Sequence, residues 1–368
     1  MAHVEKPKVG LVLGAGGVLG GAWLTGALHA IASETSWDPG SSDYIVGTSA
    51  GSMVGVLLAC GVPPWFMLAG SGGEIDGLRD AEGRTGSTYR PPGASFPLHR
   101  GAPMLGPGSW RLGISSLARP YKYSPAALLA GWLPLGPIST EPFKDTVRRV
   151  CDEPWAPHPN YWAMAMDYQT GKRVAFGRAD APQAALPDAV AASCAIPGFF
   201  RAVEIAGRRY VDGGLISASH LDVLEAEHLD LVVALNPMSS LHADAPRTLG
   251  ERIAFAIRQA SGRRLGSEAK RLQAAGTEVI LIQPTVHDLD VMGTNLMSPR
   301  RRHEVMQTAV QTVTDHLRES PVGERLAELP HGLPGLVRRP KGGTHAWPNF
   351  RSLARARWKD SATRAVPV

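Results

Sequence analysis

Cysteine is scarce in this chain of 368 residues, which contains only Cys60, Cys151 and Cys194. Three scattered cysteines are too few for a disulfide framework, and they lack the paired spacing of a zinc site. They fit a reducing compartment, so we expect a cytoplasmic protein. No group of His, Cys and Asp residues has the spacing of metal ligands, and we expect neither a metal nor another cofactor.

Charged residues are absent from two long stretches, 9–33 and 44–73. Such stretches can belong to a signal peptide or to a membrane-spanning helix. The first, however, contains seven glycines, and the second is interrupted by Pro63-Pro64 and by the glycines of 47–51. Each stretch is therefore predicted to form a buried strand and a buried helix, and we expect no signal peptide and no transmembrane helix.

The excess of positive charge lies at one end of the chain. The net charge is +5, but residues 338–368 contain eight Lys and Arg against one acid, which gives this tail +7 and leaves −2 for residues 1–337. A nearly neutral body excludes a generally basic surface, and we expect no nucleic-acid partner. The tail also contains Trp347, Phe350 and Trp358. Two interpretations stay open for it: peripheral contact with an anionic membrane, or a solvated disordered segment.

Two short apolar segments are each followed by a glycine turn and a second apolar segment. They predict strands over 9–13 and 43–46 and helices over 20–33 and 50–60. Strand, tight turn and helix, repeated, is typical of an α/β fold with a parallel sheet. Beyond residue 139 the patterns predict helices over 140–150, 188–195 and 303–317, paired strands over 161–167 and 172–176, a hairpin over 201–211, and strands over 229–235 and 278–282.

Regular patterns are missing between residues 83 and 137, where 18 of 55 residues are Gly or Pro. The segment is long for a structureless loop, so an inserted cap and a plain surface excursion both stay open. The apolar side chains that a cap would carry are Phe96, Met104, Leu105, Trp110 and Trp132. We divide the chain into a domain over 1–320, with a cap-like insertion at 62–138, and a Pro/Gly-rich and then basic tail over 321–368.

The second glycine turn, Gly47-Thr48-Ser49-Ala50-Gly51, has the pattern G-x-S-x-G. A serine on a sharp turn between a strand and a helix points its hydroxyl outward, and small neighbours are needed because that turn is tight. The N-terminus of the following helix favours negative charge on a bound intermediate. Ser49 is therefore a candidate nucleophile, and the alternative is that Ser49 or Thr48 only caps the helix.

The first glycine turn, Gly14-Ala15-Gly16-Gly17-Val18-Leu19-Gly20, lets backbone N–H groups approach a ligand closely. It could cradle a dinucleotide, although its spacing is G-x-G-x-x-x-G and the second strand lacks the acid expected for a ribose. It could instead form an oxyanion hole for a carbonyl attacked by Ser49, since both turns would lie at the carboxyl ends of adjacent strands. Close packing of a helix on a strand is the third interpretation.

The group that would activate Ser49 does not follow the standard histidine pattern. A Ser-His-Asp hydrolase places its serine after several strands, whereas Ser49 follows the second predicted strand. His220, His287 and His303 come late enough in the chain, but each fits a surface or structural role. Asp212 stands at a strand end before two glycines, on an open loop that could reach a ligand or in a simple hairpin turn.

Three blocks together resemble the patatin-like phospholipases. They are GLVLGAGGVLG at 10–20, IVGTSAG at 45–51 and AASCAIPGFFRAVEIAGRRYVDGGL at 191–215. The similarity spans about residues 9–235 and extends more weakly to about 282. It implies a three-layer α/β/α sandwich with a mainly parallel central sheet.

The resemblance also implies roles for individual residues. Ser49 matches the family's nucleophile, and Asp212 matches the base of a Ser–Asp dyad that works without histidine. Gly16 and Gly17 match the donors of the oxyanion hole, with Gly14 in the same turn. Members of the family hydrolyse acyl esters of lipids, usually without a metal.

The first block departs from the family pattern at two positions. Leu19 stands where Arg or Lys is usual, and Ala15 replaces a glycine. The backbone donors survive both changes, so the resemblance still implies acyl-transfer chemistry. A charge that could orient the loop or a phosphate-bearing substrate is missing, which keeps neutral esters among the expected substrates.

The sequence thus predicts a serine hydrolase that cleaves fatty-acyl ester bonds of phospholipids or neutral lipids. Its expected partner is a lipid or acyl-ester substrate, and peripheral contact with a membrane through the cap or the basic tail stays open. Three alternatives stay open: an acyltransferase on the same site, an oxidoreductase that binds a nucleotide at the first glycine turn, and a catalytically silent lipid-binding module.

Overall fold

A computed structural model describes residues 6–72, 97–98, 106–119, 121, 123–240 and 248–338. Three apolar residues of the predicted cap, Phe96, Met104 and Leu105, lie outside the described residues. The basic tail from residue 339 onward, with its three aromatic residues, lies outside them as well. The division into a domain, an insertion and a tail therefore stays a prediction.

A mostly parallel sheet forms the centre of the protein. Its strands are β1 (Val9–Leu13), β2 (Tyr44–Thr48), β3 (Tyr161–Asp167), β4 (Arg173–Phe176), β5 (Val203–Ile205), β6 (Arg208–Asp212), β7 (Leu231–Leu235) and β8 (Glu278–Ile282). The order is β5-β6-β3-β2-β1-β7-β8, with β4 paired to β3. Among the strands of the described ranges, the pairs β3–β4, β3–β6 and β5–β6 are antiparallel and the other pairs are parallel. Because β1 and β2 are parallel neighbours, the turns that follow them leave the sheet at the same edge.

Strand β3 brings β2 and β6 together end to end. Residues 163–164 pair with both β2 and β4, and residues 165–166 pair with both β4 and β6. Since β4 takes one edge of β3 throughout, β2 and β6 share the other edge and approach from opposite directions. β2 ends at Thr48 beside Met164, and β6 ends at Asp212 beside Ala165. This register brings Ser49 next to Asp212, although the two are far apart in sequence.

Helices cover both faces of the sheet. They are α1 (Gly17–Thr35), α2 (Ala50–Ala59), α3 (Pro64–Gly72), α4 (Trp110–Ala118), α5 (Pro125–Ala130), α6 (Glu141–Val150), α7 (Leu186–Ser193), α8 (Leu249–Ala274), α9 (Val286–Met292), α10 (Arg302–Glu319), α11 (Pro321–Ala327) and α12 (Pro334–Val337), with short 3-10 segments at Pro39–Ser41, Gly213–Leu215 and Leu221–Glu227. Among the helices of the described ranges, none combines the length and the apolar character needed to cross a membrane.

Side chains of the parallel strands alternate between the two faces of the sheet. In β7, Leu231, Val233 and Leu235 enter the main core with α1, α2 and α10, whereas Val232 and Ala234 pack on the side of α8. Both faces are buried, which explains why these strands are continuous apolar runs in the sequence. The structure confirms the predicted α/β fold with three layers and a mainly parallel central sheet.

Several segments differ from the sequence-based expectation. Helix α1 begins at Gly17 instead of residue 20, so the first glycine turn runs directly into the helix. The long helix α8 is not predicted at all. Helix α3 places Trp65 and Phe66 in the main core, although the sequence predicts that residues 62–72 belong to the insertion. Helices α11 and α12 bury Leu326 and Leu336 in the same core, although the tail is predicted to begin at residue 321.

Candidate active site

Ser49 lies on the sharp turn between β2 and α2. Its backbone has φ 54° and ψ −119°, in the range of positive φ that residues with a side chain rarely adopt. Such a conformation costs about 1–3 kcal/mol and persists only where surrounding contacts hold it. Ser49 is 5% exposed and lines an apolar pocket, so the strained turn presents its side chain to that pocket.

Two glycines of the motif make this turn sterically possible. A Cβ on Gly51 would lie 1.9 Å from the carbonyl oxygen of Leu13 at the end of β1. A Cβ on Gly47 would lie 2.5 Å from the carbonyl oxygen of Gly51. Because both distances are far shorter than van der Waals contact, a side chain at either position would push α2 away from the sheet and displace Ser49.

The end of α7 holds the backbone of Ser49 in place. The Ser49 N–H donates to Ser193 Oγ at 2.9 Å, and the Ser193 hydroxyl donates to the Met164 carbonyl at 2.6 Å. The Ser49 carbonyl accepts from the Ser52 hydroxyl at 2.7 Å and from the Cys194 thiol at 3.3 Å. All of these residues are buried, so water does not compete for the bonds that fix the turn.

Asp212 ends β6 and is 5% exposed. Its N–H donates to the Ala195 carbonyl at 3.0 Å, and its Oδ1 accepts from the Gly214 N–H at 2.7 Å. Burial raises the pKa of Asp212 to about 6, although hydrogen bonding to the Ser49 side chain and to the Gly214 N–H acts to lower it. The carboxyl is therefore ionised at neutral pH but binds a proton more readily than an ordinary aspartate.

The first glycine turn lies beside Ser49. Gly17 lines the same pocket as Ser49 and stands in the first position of α1. The Gly14 N–H is occupied, because it donates to the Leu235 carbonyl at 2.8 Å. The N–H groups of Gly16 and Gly17 make no hydrogen bond to any residue that the structure describes. Unpaired N–H groups at a helix N-terminus attract negative charge, so these two can receive an anionic oxygen.

The three late histidines do not take the place of a base at the serine. His220 is buried, and its Nε2–H donates to the Gly213 carbonyl at 3.0 Å. Burial and then the charge of Arg173 lower the pKa of His220 to about 4, so the ring is neutral at pH 7. His220 thus fixes the loop that follows β6. His287 and His303 are exposed on α9 and α10 and do not line the pocket.

The pocket at Ser49 is mostly apolar. Its walls come from α1, α2 and α6, from the start of α10 and from the segments that follow α7 and precede α10: Val18, Ala22, Met53, Val54, Leu57, Phe143, Ile196, Phe200 and Met297. An apolar wall with a few polar groups at one point suits a ligand with a hydrocarbon part. Nowhere in the described ranges do three or more His, Cys, Asp and Glu side chains come together as metal ligands would.

The sequence matches one known protein family over much of its length. Residues 11–224 match the profile of the family described as patatin-like phospholipase. This range is more than half of the chain and contains the first glycine turn, Ser49 and Asp212. The chain belongs to this family. A comparison with curated proteins found no match.

Membership in the patatin-like phospholipases supports lipid acyl hydrolase activity in general. The matched range ends at residue 224, so the helices from α8 to α12 lie outside it. Part of that remainder nevertheless completes the site of this patatin-like chain. Met297 and Arg302 line the pocket, and the Leu296 carbonyl accepts the Leu19 N–H at 3.0 Å beside the first glycine turn.

Sequence reasoning did not identify the residues that hold the site together. Ser193 lies within the third block, but its sequence context shows only a small polar residue at the end of an apolar helix. Its contacts join α7 to Ser49 and to β3, which are distant in sequence, so no local pattern reveals them. His220 was a candidate by type alone, and its contact with the loop after Asp212 depends on the folded chain.

Proposed function

We propose that this patatin-like protein is a serine hydrolase that cleaves fatty-acyl ester bonds of phospholipids or neutral lipids. The observation that carries the proposal is the strained turn at Ser49 beside the buried Asp212, whose pKa is raised to about 6. The family match supports the general class of reaction. Beyond this general class, we propose the Ser–Asp dyad, the oxyanion hole and the ester substrates.

In the first step, Ser49 Oγ attacks the ester carbonyl carbon while the Asp212 carboxylate takes the hydroxyl proton. A base with a pKa near 6 suits this role, because it is ionised at neutral pH and still accepts a proton more readily than an ordinary carboxylate. The tetrahedral intermediate then expels the alcohol, which leaves with the proton from Asp212. The product is an acyl ester of Ser49.

The N–H groups of Gly16 and Gly17 would hold the oxyanion of the tetrahedral intermediate. They make no hydrogen bond to a described residue and lie at the start of α1, where the helix favours negative charge. In the second step, water gives a proton to Asp212 and attacks the acyl ester. The fatty acid leaves and the proton returns to Ser49, which restores the starting state.

The lining of the pocket supports a lipid acyl chain as the part of the substrate that it holds. Aliphatic and aromatic side chains extend from Ser49 to Leu57 along α2 and to Phe143 on α6. Leu19, which replaces the usual cation of the family block, is buried in the main core and does not line the pocket. Arg302 is the charged residue of the described lining, so phospholipids and neutral lipids both remain within the proposal.

The proposal is tested with the variants Ser49→Ala and Asp212→Asn. Each should lower the hydrolysis of a soluble short-chain ester and of phosphatidylcholine at least about a hundredfold, the scale for a lost nucleophile or base. Ser49→Ala should also abolish labelling by a fluorophosphonate. The matched control is Asp167→Asn, which changes another buried aspartate at a strand end, outside the pocket. Thermal melts check that each variant folds.

Other outcomes would replace the proposal. Near-full activity in Asp212→Asn, with loss in a histidine variant, would exclude the dyad. Products in which the acyl group has passed to an added alcohol instead of water would indicate an acyltransferase. Nicotinamide or flavin absorbance in the purified protein would favour an oxidoreductase, and failure of both labelling and hydrolysis would indicate a silent lipid-binding module.

A further inference from the structure

Helix α4 presents an apolar stripe to the outside of the protein. Trp110, Ile114 and Leu117 follow one another at the spacing of a single helix face, and they are 60%, 61% and 70% exposed. The opposite face, with Leu112 and Ser116, is buried. An amphipathic helix on a protein surface normally turns its polar side outward, so a helix that exposes three large apolar side chains marks a surface that binds something apolar.

The stripe continues onto the end of α5. Leu129 is 67% exposed, and the ring of Trp132 lies against that of Trp110 with centroids 6.1 Å apart. We call Trp110, Ile114, Leu117, Leu129 and Trp132 the α4–α5 face. Of the twelve large apolar residues that are exposed among the described ones, eight lie between residues 98 and 133. Exposed apolar area is therefore concentrated in this one region.

The sequence segment that contains the α4–α5 face carries positive charge alone. Residues 83–140 contain six Lys and Arg and no acid. Since the whole chain has +5 and the tail +7, the remaining residues carry −8, so this segment of the sequence is basic and the sequence outside it and the tail is acidic. Arg111 is exposed on α4, and Arg119 is exposed directly after the last residue of α4. Cations beside exposed tryptophan and aliphatic side chains match the interface of an anionic lipid layer.

The α4–α5 face is also connected to the pocket at Ser49. Leu133 follows Trp132 and is the nearest side chain to Gly198, where a Cβ would lie 3.5 Å from it. The next residue, Phe199, is 40% exposed, and its ring is 4.8 Å from that of Phe200. Phe200 is buried and lines the pocket. A continuous run of apolar side chains thus joins the surface to the pocket.

We infer that the α4–α5 face docks the protein on an anionic lipid surface. The apolar side chains enter the interface, and Arg111 and Arg119 lie at the level of the lipid phosphates. A second copy of the chain is disfavoured as the occupant, because face-to-face pairing would bring two regions of equal positive charge together. The inference rests on the proposed function in one respect: docking would bring the pocket to an aggregated lipid substrate.

The test measures binding of the full chain to vesicles by co-sedimentation. The vesicles are phosphatidylcholine with and without phosphatidylglycerol, and Ser49→Ala serves as the background so that no lipid is consumed. The apolar variant is Ile114→Ser with Leu117→Ser, and the basic variant is Arg111→Gln with Arg119→Gln. The matched control is Ile253→Ser with Ile257→Ser, which removes two similarly exposed side chains, 56% and 50%, from α8.

The apolar variant should weaken binding to the anionic vesicles at least about tenfold. The basic variant should weaken binding to the anionic vesicles by roughly fivefold for each cation removed, and the remaining binding should depend less on salt. The control should bind as the background does. Equal binding by all variants would overturn the inference. So would sedimentation of the background as a dimer that the apolar variant dissociates, with no binding to vesicles, because the face would then join two copies.

A soluble short-chain ester separates this inference from the proposed function. In chains that keep Ser49, the apolar and basic variants should hydrolyse that ester at the unaltered rate, while their hydrolysis of vesicle lipid falls in step with binding. Unchanged hydrolysis of vesicle lipid would overturn the inference. If Ser49→Ala retained esterase activity, the proposed function would fail, and the vesicle-binding result would still decide whether the α4–α5 face docks on lipid.

Discussion

Replacement of Asp212 by Asn should stabilise the fold while it removes activity. Burial raises the pKa of Asp212 to about 6 from its ordinary 3.8. The ionised carboxylate is therefore less stable in the native protein than in the unfolded chain. The contribution of this group to stability is therefore fully present below pH 3.8 and is lost as the pH rises through 6. At neutral pH, ionisation of Asp212 lowers the free energy of unfolding by about 3 kcal/mol. Asn carries no charge, and its amide oxygen can still accept the Gly214 N–H.

The free energy of unfolding of the two proteins is compared by urea titration at two pH values. The Asn variant should be more stable by about 3 kcal/mol near pH 7.5, and the advantage should shrink to about 1 kcal/mol near pH 4.5. A variant that is less stable at both pH values, or a difference that does not change with pH, would refute the view that the native fold holds a strained, ionised carboxylate at this position.

Asp222 provides a control of opposite sign. Burial acts to raise its pKa, but the charge and the hydrogen bond of Arg173, at 2.6 Å, outweigh burial and lower it. This group stabilises the native state above its unfolded pKa, and the contribution is lost as the pH falls. Asp222→Asn should therefore lower the free energy of unfolding near pH 7.5, whereas Asp212→Asn should raise it. Both effects should become smaller as the pH falls.

Four further results are expected. Below pH 6, kcat/KM for a soluble ester should fall about tenfold per pH unit as Asp212 takes up a proton; a break near pH 4 would contradict the assigned base. Activity should survive treatment with EDTA; activity that is lost on chelation and restored by calcium would show that the reaction needs a metal ion. Ser193→Ala should lower kcat at least about tenfold with little change in KM, because the Ser49 N–H loses its partner; an unchanged kcat would remove Ser193 from the positioning of the turn. Deletion of 338–368 should weaken binding to anionic vesicles most at low salt, and equal binding would exclude a role for the tail.

The parts of the fold that the sequence predicts are those fixed by local chemistry. Alternating and continuous apolar runs locate β1, β2, β3 and β7, because burial on one or both faces dictates the residue types. The glycines of the second turn follow from the same kind of cause, since the backbone of Leu13 leaves no room for a side chain at Gly51. The candidate residues Ser49 and Asp212 could therefore be found without the structure.

Helix α8 was missed because its apolar stripe is weak. It contains many glycine, serine and arginine residues, and only a few side chains, such as Leu265, Ala269 and Leu272, are buried against the sheet. A local signal was nevertheless present. Thr248 and Glu251 form a capping box, in which each side chain bonds the backbone N–H of the other. The pattern T-x-x-E marks a helix N-terminus even where the periodicity of the following residues is poor.

The meeting of Ser49 with Asp212 could not be derived from local patterns. It depends on β3, whose single edge is shared by β2 and β6 from opposite directions. The pattern of apolar residues in each strand determines neither which strand lies beside it in the sheet nor whether the two are parallel or antiparallel. Only the register of β3 places the end of one strand against the end of the other. The two residues are therefore recognisable in separate motifs of the sequence, and only the family resemblance joins them.

His220 illustrates why residue type alone does not assign a catalytic role. A histidine close to a serine and an aspartate suggests a triad, and His220 does lie beside the loop that follows Asp212. Its Nε2–H, however, bonds the Gly213 carbonyl, and burial together with Arg173 keeps the ring neutral. A neutral imidazole with its proton on the nitrogen that faces a carbonyl serves as a fixed donor. In the proposed mechanism, the proton acceptor of Ser49 is instead Asp212, whose carboxylate burial makes more basic.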